Sequence, residues 1–140
     1  MSHFLSIPRS ALLFTLAFSC LIWAENLSYV PDPNWKAPAA AAARTNPLAA
    51  RPSAAAGGRK LFGRECVECH GPEGGGSDKK HSADLRLPLV QAQTDGTLFW
   101  KITNGNPDRG MPPFSKLPEL QRSQLVLYIR TLKNTDTQNK

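Results

Sequence analysis

The stretch Cys66-Val67-Glu68-Cys69-His70 constrains this chain more than any other. Two thiols three positions apart sit on one helical turn and are followed at once by an imidazole, which is the attachment pattern of a c-type haem. At that spacing each thiol can add to a vinyl group while His70 reaches the iron as proximal ligand. The iron's other face needs a ligand from farther along the chain. The chain has 2 methionines, one of them Met1, so Met111 is the candidate distal ligand. A lone methionine is ordinarily core filler. Met111, however, lies in Gly110-Met111-Pro112-Pro113-Phe114, where proline restricts the backbone and removes an amide donor, as suits a loop that presents a thioether at one fixed distance. His81, eleven residues after His70, is the rival ligand.

These paired motifs, over about residues 53–133, resemble the class I c-type cytochromes of the small, single-haem bacterial type, similar to the cytochrome c6 and cbb3-subunit-like domains. The resemblance implies an all-α fold of three to five short helices around one covalently attached haem c, with the N- and C-terminal helices crossing. It implies that Cys66 and Cys69 hold the haem, that His70 and Met111 are the axial iron ligands, and that the chain has no catalytic residues of its own. Gly58 and Phe62 match the family positions where the first helix meets Leu125 and Tyr128 of the last. In the family a proline carbonyl usually accepts the second ring proton of the proximal histidine. This chain has Ser82-Ala83-Asp84-Leu85 there, so a different backbone carbonyl must serve.

A bare Cys-x-x-Cys is shared with redox-active dithiols and zinc ribbons. Thioredoxin-like chemistry needs a preceding strand and an alternating sheet pattern, and neither is present. Zinc needs a second ligand pair, for which His81 is the sole further candidate. With a His/Met-ligated iron the site is closed, which favours outer-sphere electron transfer. The expected function is a periplasmic carrier that passes single electrons between redox partner proteins, with no small-molecule substrate. A cytochrome subunit of a larger dehydrogenase or terminal oxidase is the alternative. A sensor or peroxidase-like reading lacks an Arg and His pair for distal acid/base work.

Arg9 precedes an uncharged run of 14 residues, Ala11 to Ala24. That length fits the apolar part of a secretory signal and falls short of the roughly 20 residues that span a membrane. Residues 1–24 are therefore read as a signal peptide, residues 25–52 as a Pro/Ala-rich extended arm or linker, and residues 53–140 as the cytochrome domain. Cys20 falls in the signal and the other two cysteines form the haem pair, so no structural disulfide remains. Cutting before Cys20 would give a lipoprotein, against which Phe18 is too large for the cleavage site.

The 17 Lys+Arg outnumber the 11 Asp+Glu, and removing residues 1–24 lowers the net charge from +6 to +5. A basic surface keeps a protein soluble, and gathered around a haem edge, at Lys60, Lys79, Lys80, Lys101 or Lys116, it steers acidic redox partners. There is no basic run and no aromatic-basic interleaving, so nucleic acid is not an expected partner.

In the arm, Pro31, Pro33, Pro38, Pro47 and Pro52 preclude an independent core, with room for one helical turn at Ala39 to Ala43. Tyr29 and Trp35 suit a segment lying along the domain surface. A helix capped by Ser53 should run into the haem motif. A second should run from Thr94 or Asp95 to Asn104, stopped by Gly105, with Leu98, Phe99, Trp100 and Ile102 partly facing the porphyrin. A last helix should have Pro118 in its first turn and carry Leu120, Leu125, Val126, Tyr128, Ile129 and Leu132. The tail from Asn134 is polar.

Overall fold

The computed structural model describes residues 29–133. The readings of residues 1–24 as a signal, of Cys20 and of the tail from Asn134 lie outside these residues. The described residues form six α-helices and no strand: α1 Ala39–Ala42, α2 Ala55–Glu65, α3 Val67–His70, α4 Pro88–Gln91, α5 Asp95–Asn104 and α6 Glu119–Thr131. The fold is all-α, and its count exceeds the expected three to five because α1, α3 and α4 are four-residue turns. Cys66 separates α3 from α2, since at φ −122° it leaves helical geometry. Among these residues, no helix is long and apolar enough to cross a membrane.

The first long helix departs from expectation at its start. Ser53 does not cap it but lies inside a 3-10 turn, Pro52–Ala54, and Ala54 precedes α2 with no side-chain cap. The fixed φ of Pro52 suits the first position of a helical turn, so the coil begins one residue early. Helix α5 has the expected ends: Thr94 accepts a hydrogen bond from the Thr97 N–H, and Gly105 closes the helix at φ +60°.

Helices α2 and α6 make the most extensive helix pairing of the fold. They can approach closely because Gly58 carries no Cβ; one there would run into the Gln124 backbone carbonyl. One turn on, Phe62 packs its ring 5.1 Å from that of Tyr128. Phe62, Leu125 and Val126 are almost wholly buried, and with Leu61, Ile129 and Ile102 of α5 they form the core. Burying these side chains removes roughly 1.5–3 kcal/mol each of unfavourable hydration, which fixes the crossing that ties both ends of the fold together.

Residues 29–52 are bonded to this core at successive points. Asn46 donates to the Ser123 carbonyl at 3.0 Å, Thr94 donates to the Ala42 carbonyl at 2.7 Å, and Arg44 pairs with Glu119 at 2.6 Å. Leu48 is buried. The proline-rich composition explains why the segment has little helix of its own and takes its order from side-chain bonds to α5 and α6.

Candidate haem site

The turn that carries the two thiols is built by backbone bonds from Cys69 N–H and His70 N–H to the Cys66 carbonyl, at 3.2 and 2.9 Å. It ends at Gly71, where φ +75° sends the chain back beneath His70. The Ser82 hydroxyl then donates to the Cys69 carbonyl at 2.5 Å, and the Gly76 N–H to the His70 carbonyl at 2.9 Å. These bonds place Ala83 against the imidazole: His70 Nδ1 lies 3.0 Å from the Ala83 carbonyl oxygen. A carbonyl can only accept, so Nδ1 carries the proton and Nε2 holds the free lone pair. Burial pushes the His70 pKa down, against the pull of the Ala83 carbonyl, which favours the neutral ring that a metal requires.

Ala83 thus takes the part for which the sequence lacked its proline. The loop is held by hydrogen bonds in place of a fixed φ. Leu85 N–H donates to the Gly74 carbonyl at 2.7 Å, and the Leu85 carbonyl accepts from Gln91 Nε2 at 2.7 Å. Buried Asp84 accepts from Arg86 Nε and Nη2 at 2.9 and 2.7 Å.

The loop that carries Met111 is pinned by a two-way backbone bridge. Asn106 N–H donates to the Met111 carbonyl at 2.8 Å and Met111 N–H to the Asn106 carbonyl at 3.1 Å. A 3-10 turn, Pro107–Arg109, and Gly110 in the left-handed region close it. At Gly105 a Cβ would come within 2.5 Å of the Met111 and Pro112 carbonyls, so only glycine lets α5 end against this loop.

Cys66, Cys69, His70 and Met111 all line one cavity of about 150 Å³. Leu98 and Ile102 of α5 face it, as expected. Phe99 lies instead between the Arg44 and Arg122 guanidiniums, each 4.8 Å from its ring centre, and Trp100 is not among the lining residues. Of the lysines considered for the haem edge, Lys80 and Lys101 line the cavity, Lys80 being paired with Glu68 at 2.9 Å. Exposed His81 also borders it, at φ +49°. Sequence reasoning did not assign Tyr29, Val30, Asp32, Trp35 and Arg109 to this wall; the two aromatics in a proline-rich segment were the available sign.

Protein interiors tolerate few voids larger than one water, and this cavity is mostly apolar, so the residues present fit an apolar group that thiols can hold covalently and that offers a metal to the free Nε2 of His70. They do not fit a redox dithiol. Burial, with Glu65 and Cys69 nearby, pushes the Cys66 thiol up to about 12, whereas redox-active dithiols work through a lowered pKa.

A single helical cradle that turns an imidazole, its Nδ1 proton held by a carbonyl, and two thiols toward such a cavity defines a c-type cytochrome. Residues 53–129, more than half of the chain, match the family described as cytochrome c oxidase, cbb3-type, subunit III, and the chain belongs to that family. No curated protein and no solved structure matches it. The cofactor of the family domain is covalently bound haem c with its iron, and the domain's work is haem-based electron transfer with redox partner proteins.

Proposed function

We propose that this chain is an exported, periplasmic single-haem electron carrier in which Cys66 and Cys69 bind the haem covalently and His70 and Met111 are the axial iron ligands. The observation that supports it is the convergence of these four side chains on one cavity, with the His70 tautomer set by the Ala83 carbonyl. Haem c supplies a one-electron couple at its iron. The protein's own residues hold one ligand on a helical turn, α3, and the other on a hydrogen-bonded loop, which leaves little to reorganise when the charge changes. Met111 is favoured over His81 because its loop is bridged at both backbone groups, whereas His81 is exposed. A closed coordination sphere suits a carrier in place of a catalyst. Residues 1–24 act as the export signal, with residues 25–52 and 53–140 as arm and cytochrome domain, and the partners present acidic docking surfaces.

Met111→Ala in the holoprotein tests the ligand set. The wild type is expected to show the weak near-infrared sulfur-to-iron band when ferric and to resist carbon monoxide when ferrous. The variant is expected to lose the band, bind carbon monoxide and fall in reduction potential. A wild type without the band that binds carbon monoxide readily would overturn the assignment.

A further inference from the structure

The family match begins at residue 53, yet the loop that carries Met111 is bonded to residues well before it. The Trp35 indole N–H donates to the Gly105 carbonyl at 2.8 Å, Asn106 Nδ2 donates to Asp32 Oδ2 at 3.0 Å, and Arg109 Nη1 donates to the Val30 carbonyl at 3.0 Å. These bonds fall on Gly105, Asn106 and Arg109, which are the end of α5, the residue that bridges Met111, and the 3-10 turn before it.

The segment that makes the bonds is itself fixed. Asp32 spends its other oxygen on the Asn34 N–H at 2.9 Å, its carbonyl accepts from Trp35 N–H at 3.2 Å, and the Lys101 ammonium lies 4.4 Å over the Trp35 ring. Farther on, the bonds of Asn46 and Thr94 fasten the same segment to α6 and α5. Tyr29, Val30, Asp32 and Trp35 also line the cavity, alongside Met111.

We propose that Val30, Asp32 and Trp35 form a clamp, added to the family domain, that holds the Met111 loop in its ligating position and keeps water from that wall of the cavity. The inference rests on Met111 as ligand. Asn106 is its centre, because the same residue is held through its side chain by Asp32 and through its backbone by Met111. Loss of the clamp frees the loop to swing out, so an external ligand displaces Met111 more easily, and water entry favours the more highly charged ferric state.

The test uses ferric holoprotein titrated with imidazole, read by loss of the near-infrared band, together with the reduction potential. Asp32→Ala combined with Trp35→Ala is expected to raise the apparent imidazole affinity at least tenfold and lower the potential. Trp35→Phe, which keeps an aromatic ring and removes only the N–H donor, should raise the affinity several-fold. Arg44→Ala, which cuts the ion pair to Glu119 on the same segment, should leave it within twofold. A wild type with the band whose Trp35→Phe and double variants keep wild-type imidazole affinity overturns the clamp alone. A wild type without the band overturns the Met111 assignment and the clamp with it.

Discussion

At the scale of single residues, the proximal side depends on how a carbonyl is aimed without a proline. Ala83 accepts from His70, and its neighbour Asp84 anchors the loop through Arg86. Burial pushes the Asp84 carboxyl up, but bonds from the Arg86 guanidinium and backbone N–H outweigh it and hold the group below its ordinary 3.8. A carboxylate depressed in the folded state contributes stability that is fully present above the unfolded value and is lost as pH falls through the folded one. Asp84→Asn is expected to destabilise the holoprotein by about 1–3 kcal/mol at neutral pH. The deficit should shrink once the pH falls below 3.8, as followed by denaturant midpoints at several pH values. A deficit that stayed constant into acid would mean the carboxylate's charge is not what holds the loop.

At the scale of elements, α2 carries one glycine that its crossing with α6 requires, Gly58, and one that it does not, Gly63. Gly58→Ala would gain about 1 kcal/mol in helix propensity, yet its Cβ meets a backbone carbonyl, which cannot rotate away as a side chain can. Overpacking of that kind costs about 1–3 kcal/mol, so a net loss is expected. Gly63, in the same helix, has nothing within 4 Å of its Cβ position, and Gly63→Ala should stabilise by up to about 1 kcal/mol. Thermal melts of the two variants compare them directly; equal shifts would show that helix propensity, and not the crossing, dominates. Helical spacing put Gly58 and Phe62 one turn apart on one face, and the resemblance to the class I cytochromes supplied Leu125 and Tyr128 as their partners. The start of α2 was not legible in the chain, because Pro52 and Ser53 are both good helix starters and local preference alone does not rank them.

At the scale of the whole molecule, the proposed docking on acidic partners makes a prediction about salt. The chain carries a net +6, and Lys80, Lys101 and Arg109 border the cavity. With screening lengths of about 30 Å at 0.01 M salt and 8 Å at 0.15 M, electron transfer to an acidic partner should slow roughly tenfold or more across that range. Stopped-flow rates at graded salt measure it, and a rate indifferent to salt would assign the lysines to solubility alone.

The sequence by itself determined the cofactor chemistry and the ends of α5, because each is written in neighbouring residues, thiols and imidazole on one turn and Thr94 and Gly105 at helix ends, and the helical class followed from the family that these motifs resemble. Tertiary structure decided what depends on residues far apart. It chose Ala83 as the acceptor for His70, turned Phe99 toward Arg44 and Arg122 and left Trp100 off the cavity wall, and set Trp35 against Gly105. The reason is physical: a carbonyl or an indole has no address in its own local sequence, and its partner is fixed only when long-range packing brings the two within about 3 Å.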